Sequence, residues 1–395
     1  MEQKRAYRYR CYPNVIQKHM LARTFGATRY VYNWALRLRT DAYYERQERV
    51  YYKETSARLT QLKKQEETAW LNEVSSVPPQ QALRHLDTAF RSFFDGRTAY
   101  PSFKRKHGHQ SAEYTVSGFH FVDGTLTLAK MGSPLKIRWS RPLPKDTKPS
   151  TVTVSRDSAG RYFVSFLVTE EIHPLSKADT DAAVVGIDLG ITSLVTLSTG
   201  EKVGNPRHLT SDTKRHRKAK RSLSRKQQGS KGREKARVRL ARVEARIADR
   251  RKDFTHKLTM RLVRENQTIC CESLRVKNMV RNHSLAKHIG DAGWSELVRQ
   301  LAYKSAWYGR TFVAIDRWYP SRKRCSHCGH VVSSLPLDVR HWMCPECGTR
   351  HDRDVNAALN IAAAGLAVSA GGEAVRPGRR KSDQHASGKP EFHAL

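Results

Sequence analysis

Residues 5–12, RAYRYRCY, alternate basic and aromatic side chains, a period of two that predicts a strand with one buried face. Pro13-Asn14 ends it. From Val15 to about Leu38 the spacing changes. Ile16, Met20, Phe25, Tyr30, Val31, Trp34 and Leu38 form a helical stripe with an interruption near Gly26. A polar helix is expected from about Thr55 to Trp70. Another opens after Ser76-Val77-Pro78-Pro79, with Leu83, Leu86, Phe90, Phe93 and Phe94 on one face. Such aromatic stripes read as core before they read as base-stacking platforms.

Around Tyr100–His107 the pattern turns strand-like. Segments 114–122, 125–129, 135–139, 151–155 and 162–169 are short, β-rich and separated by turn residues such as Asp157-Ser158-Ala159-Gly160. They suggest a small barrel, with residues 5–12 a candidate member and the helical stretch an insertion. Ser176 to Asp181 reads as a linker. Ala182–Gly190 is a continuous apolar run that ends in Asp188 and Gly190, followed by a second strand over Ile191–Leu197. Gln267–Leu274 repeats the arrangement, an apolar strand running straight into Glu272. Trp294, Leu297, Val298, Leu301 and Tyr308 mark an amphipathic helix, and Thr311–Ile315 a further strand. Residues 371–395, rich in Gly, Ala, Arg and Ser, are expected to be a disordered tail.

A chain of 395 residues can hold two to four domains. Its formal charge of +35 exceeds what solubility requires and points to a polyanionic partner, nucleic acid by default. No apolar run of membrane-spanning length, signal peptide or lipidation motif at Met1-Glu2-Gln3 supports a membrane-surface alternative, so a soluble cytoplasmic protein is expected. Residues 214–252 carry eighteen Lys or Arg against three acids, which favours phosphate contact over a merely solvated face. Leu240, Val243, Ile247, Phe254 and Leu258 form a seam through the second half, so part of this run packs.

Four of the seven cysteines stand in two Cys-x-x-Cys knuckles, Cys325/Cys328 and Cys344/Cys347. That is the zinc-ribbon pattern, four thiolates around one ion. Such a closed site leaves no position for water or substrate, so the ribbon is scaffold and the chemistry sits beside it. Cys11, Cys270 and Cys271 fall in apolar runs and read as buried hydrophobes in a reducing compartment. After the ribbon, His351–Ile361 turns into an Ala-rich helix, where an Asp is usually a cap or dipole partner.

Asp188 and Glu272 at strand ends and Asp354 at a helix start suit a pair of Mg2+ ions, because hard cations take carboxylates and two of them serve phosphodiester hydrolysis. This fits a ribonuclease-H-like nuclease core. Each acid alone is ordinary, Glu272 reading equally as a surface acid. Asp316 and Asp352 are rivals that spacing does not exclude.

GIDLGI, CCESLRVKNM, the CSHCG and CPECG knuckles and HDRDVNAALNI, in that order, resemble TnpB proteins. These are RNA-guided nucleases of bacterial and archaeal insertion sequences, relatives of type V CRISPR effectors. The resemblance spans nearly the whole chain, and WLNEVSSVPPQQALRHLDTAFRSFF and YPSFKRK look like the family's helical recognition insert and its exit. It implies a multidomain protein that mixes α/β, all-β and α parts. Residues 1–12 and 111–178 would form a wedge β-barrel, split by a helical recognition domain at 13–110. Residues 179–320 and 351–370 would form an RNase H-like RuvC domain, and 321–350 an inserted zinc-ribbon module that binds target nucleic acid.

By the same resemblance, Asp188, Glu272 and Asp354 hold two catalytic Mg2+ ions, while Cys325, Cys328, Cys344 and Cys347 hold one structural Zn2+. Asp352 then suits the cap, and Asp354, two residues before Asn356, the ligand. Ser321-Arg322-Lys323 departs from the family's common Ser-Ser-Lys. The implied partners are a guide RNA derived from the transposon end and double-stranded target DNA beside a short adjacent motif, on a monomeric protein. Two alternatives stand beside it. One is a nuclease-inactive RNA-guided DNA-binding repressor, a lineage that loses the acid triad present here. The other is a transposase, against which the resemblance argues, since transposition there is ascribed to a separate enzyme.

Overall fold

The computed structural model describes residues 2–144, 147–176, 184–336 and 338–370. They fall into two compact units, one over Lys4–Glu170 and one over residues from Glu171 onward together with Glu2 and Gln3. The tail at 371–395 and most of the expected linker lie outside the described residues. No helix among the described residues is long and apolar enough to cross a membrane.

In the first unit, β1 (Glu2–Cys11) shows the expected alternation and buries Tyr7, Tyr9 and Cys11. α1 (Val15–Arg46) starts at a capping box, in which Asn14 Oδ1 accepts from the Gln17 amide at 2.8 Å and Gln17 Oε1 accepts from the Asn14 amide at 3.0 Å. The interruption expected near Gly26 does not occur. A helical glycine costs only about 1 kcal/mol, and here the flanking Leu21, Phe25, Ala27 and Val31 are all buried. The polar helix expected over 55–70 is instead α2 (Tyr52–Leu62) followed by a 3-10 segment, Glu66–Glu73. The Thr68 hydroxyl donates to the carbonyl of Leu62 where α2 ends.

α3 (Val77–Phe94) carries Pro78 and Pro79 in its first turn, where a missing N–H leaves no bond unmade. Leu83, Leu86 and Phe90 are buried as expected, but Phe94 is 76% exposed. β2 (Gln110–Thr115) and β3 (Phe119–Val122) replace the single strand expected over 114–122, parted by a 3-10 turn at Val116–Gly118. β4 (Thr125–Leu128), β5 (Ile137–Arg138), β6 (Thr151–Arg156) and β7 (Tyr162–Glu171) follow. β3 and β4 form a hairpin, and the other strands one sheet in the order β2-β6-β7-β1-β5. Tyr9, Tyr114, Leu126, Val152 and Phe166 fill its core with Leu21 and Phe25 of α1. A second core, from Ala27 to Phe90, joins α1, α2 and α3.

The second unit is built on β8 (Val184–Leu189), β9 (Ser193–Leu197) and β10 (Lys202–Gly204). The basic run then forms the short α4 (His208–Ser211), α5 (Thr213–Ser224) and the long α6 (Lys231–Glu265). α5 and α6 pack through Ala219, Val243 and Ile247. β11 (Thr268–Glu272), α7 (Val276–Met279), α8 (His283–Ala292), α9 (Trp294–Trp307) and β12 (Thr311–Ile315) come next. After them the ribbon supplies β13 (His341–Met343) and β14 (Arg350–Asp352), and α10 (Arg353–Ala370) closes the described chain.

The sheet order is β10-β9-β8-β11-β12. β8 runs antiparallel to β9, and β9 to β10, whereas β11 runs parallel to both β8 and β12. Helices cover both faces. Leu258, Leu262, Trp294, Leu297 and Leu301 pack with Cys271 on one, and Ile361 of α10 with Cys270 on the other. Adjacent cysteines thus point to opposite faces, as the pleat demands. α10 lies so close to β8 that a Cβ on Gly186 would stand 1.9 Å from the Ala358 carbonyl oxygen. The glycine is what lets the helix seat there.

Candidate metal centres

Because β8 and β11 are parallel and in register through Ile187↔Cys271, the next residues along them, Asp188 and Glu272, lie side by side at the same end of the sheet. Seating α10 on β8 brings Asp354, in its first turn, to that end as well. Asp188 is 2% exposed. Its carboxyl is raised to about 6, chiefly by burial; Arg322 opposes the shift, and Glu272 and Asp354 add to it. Glu272 and Asp354 thus lie near enough to Asp188 to act on its charge, although among the described residues only the four ribbon cysteines converge as a group able to hold a metal ion.

Arg322 Nη2 donates to Asp188 Oδ1 at 2.8 Å, and the Ser321 hydroxyl donates to Glu272 Oε1. The guanidinium therefore lies in the field of all three carboxylates, which outweigh the burial opposing its charge. Arg340 reaches Asp354 more loosely, at 3.8 Å.

The two rivals are engaged elsewhere. Asp352 Oδ1 accepts from the amides of Asp354 at 3.1 Å and Val355 at 3.0 Å, the bonds of a helix cap, while Oδ2 pairs with Lys202 Nζ at 2.6 Å. Burial works against its charge, but Lys202 and the backbone donors hold the carboxyl below its usual range. Asp316 accepts from the amide of Trp318 at 2.7 Å, which fixes a local turn.

The ribbon brings the four cysteine sulfurs within 4.8 Å of one another, with Cys325 Sγ 3.7 Å from Cys347 Sγ and Cys328 Sγ 3.6 Å from Cys344 Sγ. Its knuckles are built alike. Each first cysteine accepts from the amide of a glycine four residues on, Gly329 at 3.0 Å and Gly348 at 2.9 Å, and both glycines have positive φ. Four thiols converging at this range suit zinc with no open position. His351 of β14 sets Nε2 3.0 Å from Cys325 Sγ and lies against the Trp342 ring.

Two residues that the sequence left without a role tie the centres together. Asn356 Nδ2 donates to the Arg324 carbonyl at 2.8 Å, and its Oδ1 accepts from the Ser326 amide at 2.9 Å. Asn360 Nδ2 donates to the carbonyls of Ser321 at 2.9 Å and Arg324 at 2.6 Å. Both are nearly fully buried. Their signal was a pair of amides one turn apart in an otherwise apolar helix, where buried polar groups must find partners.

A family model described as "Probable transposase" matches residues 164–283, one described as "Cas12f1-like, TNB domain" matches 294–361, and one described as "Helix-turn-helix domain" matches 1–48. In that last span the structure holds a strand and one long helix. The chain is 59% identical over 380 residues to a Streptomyces pristinaespiralis protein named "Putative RNA-guided DNA endonuclease", covering 96% of this chain and 94% of that one. It is 31% identical to the Escherichia coli K12 protein "Putative RNA-guided DNA endonuclease InsQ", covering 96% of each. Among solved structures, the Cas12f1-sgRNA-target DNA complex contains a similar chain at TM-score 0.57 and 12% identity, over 91% of this chain and 99% of that one. At that identity the likeness is one of fold.

Proposed function

From the premise that this chain belongs to the TnpB family, we propose that it is an RNA-guided DNA endonuclease whose hydrolytic site is Asp188, Glu272 and Asp354. The observation that carries the reading is that Asp188 and Glu272 stand at the same end of two parallel, paired strands, with the buried Asp188 acted on electrostatically by both Glu272 and Asp354. The sheet supports it too. A first strand with antiparallel neighbours on one side and parallel ones on the other, flanked by helices, is what a ribonuclease-H-like core requires.

The carboxylates are hard oxygen donors, crowded enough that divalent cations would relieve their repulsion. Bound there, two Mg2+ ions would supply an activated water and stabilise the leaving oxygen. The protein's part is placement. The Ser321 hydroxyl fixes one oxygen of Glu272, and the Asp352 cap holds the first turn of α10 so that Asp354 faces the pocket. Arg217, Lys218, Lys220 and Arg221 are exposed on α5 and offer phosphate contacts. Cys325, Cys328, Cys344 and Cys347 would hold one Zn2+, which stiffens the segment that Asn356 and Asn360 anchor to α10.

Residues 179–320 and 351–370 then make up the RuvC domain around the zinc-ribbon module at 321–350. Wedge residues 1–12 and 111–178 and recognition residues 13–110 read a short target-adjacent motif. A guide RNA transcribed from the transposon end pairs with one DNA strand and supplies the sequence specificity.

The test is cleavage of a plasmid matched to the RNA that copurifies with the protein. Asp188→Ala and Glu272→Ala are expected to abolish Mg2+-dependent cutting while guide-directed binding stays near the wild-type level. Wild-type rates in either variant would disprove this site. A wild-type protein that binds the matched plasmid without cutting it would mark a repressor instead.

A further inference from the structure

The pocket read as a metal site already contains a cation belonging to the chain. Arg322 places Nη2 2.8 Å from Asp188 Oδ1 and lies in the field of Glu272 and Asp354 as well. We propose that Arg322 is a tethered stand-in for the divalent ions, neutralising the buried Asp188 carboxylate in the metal-free protein and leaving when metal binds. The proposal rests on the metal-site reading above and adds to it a competitor built into the chain.

Three observations support exchange rather than a permanent ion pair. First, the pairing is lopsided. Asp188 is 2% exposed at its side chain, whereas Arg322 is 36% exposed, so part of the arginine side chain reaches solvent and the carboxylate does not. Second, the guanidinium is incompletely satisfied, because its Nε is buried and finds no hydrogen-bond partner among the described residues. A buried donor left unmade favours departure. Third, the backbone on either side is pinned. Asn360 holds the carbonyls of Ser321 and Arg324, and the Arg324 amide donates to the Pro320 carbonyl at 2.9 Å. The side chain can therefore swing out by rotamer changes while the segment leading into the ribbon stays in place.

A guanidinium and a divalent cation cannot share Asp188 Oδ1 without strong repulsion. Removing the arginine should thus strengthen metal binding even as it loosens the empty pocket. A side chain that merely braces the fold would lower both.

The experiment titrates Mn2+ into the full-length chain freed of nucleic acid at high salt, with bound and free ion counted by electron paramagnetic resonance and melting followed in parallel. Arg322→Gln keeps a polar hydrogen-bonding side chain, shorter and without charge, and Arg322→Lys keeps the charge without the planar fork. Arg322→Gln is expected to bind Mn2+ about tenfold more tightly than wild type, the order of effect of one neighbouring unit charge. It should also melt lower in chelator and regain the difference when Mn2+ is added. Arg322→Lys should fall between the two. Equal or weaker Mn2+ binding by both folded variants would overturn the proposal. Asp188→Asn keeps the two failures apart: if it binds Mn2+ like wild type, the metal-site reading itself fails. If it loses Mn2+ while the Arg322 variants match wild type, only the stand-in is wrong.

Discussion

Asp352 and Asp354 lie two residues apart at the start of one helix, and the structure gives them different work. Asp352→Ala removes an N-cap whose Oδ1 serves the amides of Asp354 and Val355. Loss of such a cap costs roughly 0.5–2 kcal/mol. It also removes the 2.6 Å pair with Lys202, whose partners are 38% and 28% exposed, and a pair so hydrated adds at most about 1 kcal/mol. The sum is roughly 0.5–3 kcal/mol, and at about 2–4 °C per kcal/mol for a unit of this size the melting point should fall by roughly 1–12 °C. Asp352→Asn isolates the parts, because asparagine caps as well as aspartate and only the ion pair is lost. Its melting point should stay close to wild type. Asp354→Ala breaks no cap, and its melting point should hold or rise as repulsion in the pocket is relieved. Matched-plasmid cleavage should nevertheless vanish in Asp354→Ala and persist in both Asp352 variants. A dead Asp352→Asn beside an active Asp354→Ala would reverse the two roles and refute the reasoning.

Cys344→Ser should lose both zinc and cleavage, since a structural site of this kind contributes on the order of 10–16 kcal/mol in small peptides. Metal analysis finding no zinc in active wild-type protein would contradict it. Replacing Arg217, Lys218, Lys220 and Arg221 together by Ala should weaken nucleic-acid binding and flatten the plot of log affinity against log salt by up to about 0.9 per lost duplex contact. An unchanged slope would mark α5 as a solvated face. Burial lowers the Lys304 ammonium from 10.5 to about 8. The native state thus sheds this proton before the unfolded one, and stability gains a rising component between pH 8 and 10.5, up to about 1.4 kcal/mol per pH unit. Lys304→Met should lack that component, which denaturant titrations of both proteins across the window will reveal.

Much of this was legible because its signals are local. An apolar run that ends in an acid announces a strand delivering a carboxylate, as at Asp188 and Glu272, and paired Cys-x-x-Cys turns announce a closed thiolate site. The errors came where tertiary packing overrode propensity. Gly26 looked like a break, yet α1 is buried on both sides of it and runs on. Phe94 looked like core and is exposed, because the stripe on α3 was read one position too far. The division of labour between Asp352 and Asp354 rested on family likeness in the sequence. In the structure it rests on two backbone hydrogen bonds that no spacing rule contains.

Arg322 was the least legible residue, and the reason is physical. Read along the chain it is one more base among 72 Lys and Arg. What gives it meaning is the path of the backbone. Ser321 and Arg322 touch two of the three acids, and Asn356 and Asn360 fasten the same short segment to α10, which carries the third. Three residues further on, Cys325 begins the thiolate cluster. The segment therefore links the acids to the thiolate cluster through contacts a few residues long, and α10, to which it is fastened, can seat on β8 only because Gly186 leaves room for the Ala358 carbonyl. Damage to the ribbon should thus reach the carboxylates through the backbone of residues 321–326, with no need for the zinc to take part in the reaction.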